Sequence, residues 1–122
     1  MVLATESAIP SREQNAVEVA QGFLESNFSR KVTVEEAAAA ASVSTSQLIR
    51  LFRQQLETTP HNYLLRYRIT RAKELLAESQ MPISSIAKRV GFSSDSNFSY
   101  RFSQMVGQSP SAYRASAPKL FE

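Results

Sequence analysis

The sequence has no cysteine, one histidine and only three glycines in 122 residues. The missing cysteine excludes a disulfide framework and any thiolate zinc site. His61 is the sole imidazole, and no nucleophile or carboxylate partner is set beside it, so general-base chemistry has no footing. Metal-ligand clusters, phosphate loops and nucleophile constellations are also missing, so neither enzymatic activity nor a cofactor is expected. Few glycines and few β-branched runs point to an all-α fold. No apolar run approaches the roughly 20 residues of a membrane span. The opening stretch "MVLATESAIPSREQ" is acidic and polar where a signal peptide needs a long apolar segment. A soluble, cytoplasmic chain without membrane association is the expectation.

Apolar residues make up 43% of the chain, enough for the core of one ordinary domain or of two very small ones. The charge is unevenly spread. Residues 1–43 carry three basic and six acidic side chains, net −3, whereas residues 44–114 carry ten basic and four acidic, net +6. A basic stretch of this kind suits a polyanionic partner, with a solvated helix surface as the plain alternative.

Residues 1–12 read as a tail or linker closed by Pro10 and Ser11. A first helix is expected from about Glu13 to Asn27, with Val17, Ala20, Phe23, Leu24 and Phe28 on one face. Thr33 and Glu36 form a capping box ahead of a short alanine-rich helix that ends at Ser42. Ser44 caps the next helix, with Gln47 completing a second box. That helix puts Leu48, Leu51, Phe52 and Leu56 inward and Ser46, Arg50 and Arg53 outward. Thr59 and Pro60 open a long helix reaching about Glu78, which buries Leu65, Ile69, Ala72 and Leu76. A short helix "ISSIAKRV", the bend "GFSS", the helix "DSNFSYRFSQMV" and a last turn "SAYR" complete the chain. The reading is about seven helices. It divides the chain into a tail (1–12), a first helical pair (13–59), a linker helix (60–78), a second pair (79–115) and a tail (116–122).

The two pairs are copies. Val34, Ala37, Ala38, Ala41 and Val43 match Ile83, Ile86, Ala87, Val90 and Phe92 at an offset of 49. Ser44, Leu48, Phe52, Leu56, Thr59, Pro60 and Tyr63 match Ser94, Phe98, Phe102, Val106, Ser109, Pro110 and Tyr113 at an offset of 50. Each copy is a short helix, a tight turn and a longer helix, the pattern of a helix-turn-helix. Ala38 and Ala87 stand where the helices cross, and Val43 and Phe92 plug the turns. Gly91 supplies the left-handed backbone that ends a helix.

An α-helix fits the major groove of DNA, where base edges carry distinct donors, acceptors and methyl groups. Reading them requires directed polar side chains near the N-terminus of the second helix. The first copy offers Thr45, Ser46, Gln47 and Arg50; the second offers Asp95, Ser96, Asn97 and Tyr100. Arg50 suits a guanine, and Gln47 or Asn97 an adenine. Arg53, Lys88, Arg89 and Arg101 suit phosphates.

The segment "ISSIAKRVGFSS…SNFSYRF…VGQSPSAYR" resembles the signature of the AraC/XylS family of bacterial transcription regulators. The first copy and the "TTPHNYLLRYRITRAKELL" after it are similar to the rest of that family's DNA-binding domain. The likeness covers about residues 15–114. It implies two helix-turn-helix subdomains joined by a rigid helix, with the second helix of each in one of two successive major grooves of double-stranded DNA. It also implies contact with RNA polymerase, action on the nucleoid, and either a stand-alone protein or one with an N-terminal effector or dimerisation domain. The sequence departs from the family where Tyr100 replaces a usual arginine, Asn97 a usual aromatic and Ser103 a usual basic residue. The first unit is therefore expected to dominate base discrimination.

Several residues also have plainer readings. Tyr63 and Tyr113 are packing residues, and Asp95 matches a helix dipole. Arg66, Arg68 and Arg71 divide between ion pairs and phosphate contacts. A helical adaptor without DNA is the competing class, and it would require apolar side chains on the second helices.

Overall fold

The computed structural model describes residues 12–117. Of the expected tails, residues 1–11 and 118–122, with Pro10 and Ser11, lie outside that range. Seven helices occur among the described residues: α1 (Arg12–Ser26), α2 (Val34–Ala40), α3 (Thr45–Leu56), α4 (Pro60–Glu78), α5 (Ile83–Arg89), α6 (Asp95–Val106) and α7 (Pro110–Ser116). No strand is found among those residues. They form two compact units, one of residues 12–27 and 32–63 and the other of residues 28–31 and 64–117.

In the first unit α1 packs on α2 and α3. It buries Ala16, Val17, Ala20 and Leu24, spaced to share one helical face. The Thr33 hydroxyl accepts from the Glu36 amide at 3.2 Å, and the Glu36 carboxylate accepts from the Thr33 amide at 3.1 Å. This is the expected capping box, which stabilises a helix start by about 1 kcal/mol. Ala37 and Ala38 are buried; with no side chain beyond Cβ they let α3 approach closely. The Ser44 hydroxyl accepts from the Gln47 amide at 3.1 Å. The reciprocal half of a box, expected from the Gln47 side chain, is not formed, so Ser44 caps α3 alone. Leu48, Leu51 and Phe52 are fully buried. The Phe52 and Tyr63 rings meet edge to face at 5.8 Å, and the Tyr63 hydroxyl is hydrogen-bonded to the Glu25 carboxylate.

The second unit is built around Ile69, Ala72 and Leu76 of α4, Ile86, Ala87 and Val90 at α5, Phe92, and Phe98 and Phe102 of α6. Its rings meet in sequence: Phe92 edge to face with Phe98 at 5.2 Å, Phe98 tilted against Phe102 at 5.7 Å and Phe102 edge to face with Tyr113 at 5.6 Å. The Phe102–Tyr113 pair repeats Phe52–Tyr63, as the sequence offset requires. Of the neighbouring Leu64 and Leu65 on α4, Leu64 is buried and Leu65, expected inside, is only half-buried.

Arg68 is half-buried and directs its donors to backbone carbonyls. Its Nε donates to the Phe28 carbonyl at 2.9 Å and Nη2 donates to the Arg30 carbonyl at 2.8 Å. Partial burial lowers its pKa from the ordinary guanidinium value. Arg71 pairs with Glu74 at 2.9 Å and lies 6.0 Å from the Phe28 ring centre. Arg66 is exposed.

Both tight turns use one backbone device. The Val43 amide donates to the Ala38 carbonyl at 3.0 Å, and the Phe92 amide to the Ala87 carbonyl at 2.9 Å. The preceding residues, Ser42 (φ 60°) and Gly91 (φ 97°), are left-handed. This is the Schellman closure, which satisfies the last carbonyls of a helix and turns the chain sharply. It ends α2 at Ala40, before the expected Ser42. A second left-handed pair, Glu57 (φ 56°) and Gly107 (φ 92°), closes α3 and α6.

Candidate nucleic-acid interface

Each turn releases a 12-residue helix, α3 or α6. Burial of Leu48, Leu51 and Phe52 in α3, and of Phe98 and Phe102 in α6, fixes which way each helix faces. The remaining positions of the first turns must then point outward. Ser46, Arg50 and Arg53 are exposed, and Thr45 and Gln47 are half-exposed. Asp95, Ser96 and Asn97 are exposed, and Tyr100 keeps 59% of its surface open. Each unit thus carries its own base-reading candidates on the first turns of one helix.

Lys88 and Arg89 are exposed in the last turn of α5, where cations also complement the helix dipole. Arg101 is half-buried, with its guanidinium 5.7 Å from the Tyr100 ring centre. That contact aligns two residues that helical phase alone would separate, and it keeps the Arg101 charge beside the exposed face.

Arg50 is held by neighbours. Its Nη1 donates to Gln54 Oε1 at 3.4 Å, and Nη2 lies 3.8 Å from Glu13 Oε2. Half of the Arg50 side chain stays in solvent. Glu13 is a residue that the sequence reading left out of the site. Its only sequence signal is an acid opening α1, 37 positions away from Arg50.

Apolar side chains do not form the outer face of α3, where Ile49 is half-buried. On α6 Tyr100 and Met105 are exposed among polar neighbours. His61 is exposed in the first turn of α4. No group of three or more His, Cys, Asp or Glu side chains suited to a metal ion occurs among the described residues. No helix among them is long and apolar enough to cross a membrane.

A family model described as a helix-turn-helix domain matches residues 37–116. A solved structure from Chromobacterium violaceum, a transcriptional regulator of the AraC-type DNA-binding-domain class, superimposes with a TM-score of 0.80 at 33% identity, covering 84% of this chain and 91% of that one. The chain belongs to the AraC-type family of helix-turn-helix DNA-binding domains. The DNA-binding domain of AdpA, a global transcriptional factor, solved in complex with a target DNA, is similar at a TM-score of 0.78 and 29% identity over 83% of this chain and 91% of that one. The probable transcriptional regulator LumQ of Photobacterium leiognathi is 41% identical over 92 residues, or 75% of this chain. The AraC-type domain described here spans only 37% of LumQ's length.

Proposed function

We propose that this AraC-type domain binds double-stranded DNA sequence-specifically and regulates transcription, with α3 and α6 as its two recognition helices in successive major grooves. The observation that carries this reading is the doubled geometry. Twice, a left-handed turn aims a 12-residue helix whose first turns are polar outside and tightly packed inside. The AdpA relative on its target DNA supports the same reading. Segments 13–59 and 79–115 act as the helix-turn-helix subdomains and 60–78 as the linker. The 19 residues of α4 make a rod of about 28 Å. That length, with the flanking turns, suits the roughly 34 Å between neighbouring turns of the groove.

Thr45, Ser46, Gln47 and Arg50 read bases in one groove, and Asp95, Ser96, Asn97 and Tyr100 line the other. Arg50 is the strongest discriminator, since only a guanidinium in this set offers a bidentate fork to guanine O6 and N7. Arg53, Lys88, Arg89 and Arg101 hold phosphates. Binding then releases counterions and weakens steeply with salt. The work done is recognition rather than catalysis. Such a regulator acts on the nucleoid in the bacterial cytoplasm, contacts RNA polymerase, and in a longer protein follows an effector or dimerisation domain.

The test is a mobility-shift titration at several salt concentrations, with a site selected from random DNA and a scrambled competitor. The proposal requires a large preference for the selected site that survives raised salt. Equal affinity for both sequences would refute it.

A further inference from the structure

Glu13 opens α1 against the flank of α3. Its backbone carbonyl accepts from Gln55 Nε2 at 3.4 Å, and its carboxylate lies 3.8 Å from Arg50 Nη2. The same residue lines a cleft with Ser42, Val43 and Gln47, beside a second base-reading candidate. From the other side Gln54 Oε1 accepts from Arg50 Nη1 at 3.4 Å. A guanidinium has five N–H donors, two on each Nη and one on Nε. Glu13 attracts one Nη and Gln54 engages the other, so each Nη keeps a further hydrogen. A bidentate contact with guanine can be made with one hydrogen from each Nη.

We infer that Glu13 is a positioning residue for Arg50. It narrows the rotamers of a long side chain before DNA arrives, so less freedom is lost on binding. The pair is half in solvent, so its effect is modest, roughly threefold in discrimination. A carboxylate near the phosphates also repels them. Removing it therefore lowers discrimination at one base pair while leaving affinity for unrelated DNA equal or higher. A folding defect would not produce that combination. The inference rests on Arg50 being a base reader.

The experiment measures binding of the full chain by fluorescence anisotropy to its selected site and to the set of single-base-pair variants of that site. The proteins are wild type, Glu13→Gln, Arg50→Ala and the double variant. Arg50→Ala identifies the base pair that Arg50 reads. The expected result is a roughly threefold loss of discrimination at that pair alone in Glu13→Gln, with no further loss when the change is added to Arg50→Ala. Unchanged discrimination in Glu13→Gln, a loss spread over all positions, or the same loss in the Arg50→Ala background would overturn the inference. If Arg50→Ala leaves every base preference intact, both the base-reading assignment and the inference fall. A collapse at one pair in Arg50→Ala with none in Glu13→Gln sinks the inference alone.

Discussion

Of the three glycines, Gly91 is the one where an added Cβ finds no room, so Gly91→Ala should be strongly destabilising. A Cβ at Gly91 would stand 2.4 Å from the Phe28 carbonyl oxygen, 2.7 Å from Arg68 Nε and 2.9 Å from Arg68 Cζ. The oxygen is backbone, and Nε is the atom bonded to it at 2.9 Å. Neither can yield without breaking that bond. The backbone there also has φ 97°, which costs an L-residue about 1–2 kcal/mol. Overpacking adds about 1–3 kcal/mol, for a total of about 2–5 kcal/mol. Gly107→Ala is the matched control, since φ is 92° but nothing lies within 4 Å of its Cβ position. It should lose only the backbone part, about 1–2 kcal/mol. Thermal and urea unfolding of both variants would read the difference. At about 4–8 °C per kcal/mol for a small domain, Gly91→Ala should melt on the order of 10 °C or more below wild type and well below Gly107→Ala. Equal losses in the two variants would refute the close-approach argument and leave only the shared backbone strain.

Arg50→Ala should cost about 1–3 kcal/mol of discrimination at one base pair. Arg53→Ala should weaken all sequences alike and reduce the salt slope by about one. Titrations on cognate and scrambled DNA separate the two, and identical behaviour of both variants on every sequence contradicts the division of roles. Glu57→Gly should raise stability by about 0.5 kcal/mol. Relief of the left-handed backbone at φ 56° outweighs the added freedom of the unfolded chain. A urea midpoint at or below wild type argues against that.

The helices that begin at strong punctuation were legible in the sequence. Thr59–Pro60 sets the start of α4 where expected, the Thr59 hydroxyl accepting from the Asn62 amide at 3.1 Å, and Ser94, the match of Ser44, likewise accepts from the Asn97 amide at 3.1 Å at the start of α6, because a hydroxyl cap and a proline act locally. The end of α2 was not, because the alanine run keeps its propensity to Ala41 and nothing about a serine announces a left-handed backbone. The repeat held that information: Ser42 aligns with Gly91, and Glu57 with Gly107. The outward positions of α3 and α6 followed from helical phase. The neighbouring pair Leu64 and Leu65 defeated phase, since Leu65 shares the phase of Ile69, Ala72 and Leu76 yet is only half-buried, whereas Leu64, one turn after the buried Pro60, is buried on a different face of α4. Arg68 and Glu13 escaped for another reason. The carbonyl partners of Arg68 lie 40 and 38 positions away and the guanidinium partner of Glu13 lies 37 away, and neither composition nor period encodes such a meeting.

Two recognition helices that read one duplex should do so a helical turn apart. Hydroxyl-radical footprinting of the full chain on its selected site measures this directly. Two protected stretches are expected, centred about 10–10.5 base pairs apart on one face of the duplex. The second should be lost when the α6 face is removed by Ser96→Ala, Asn97→Ala and Tyr100→Ala together. A single protected stretch in the unaltered protein, or two on opposite faces, would contradict it.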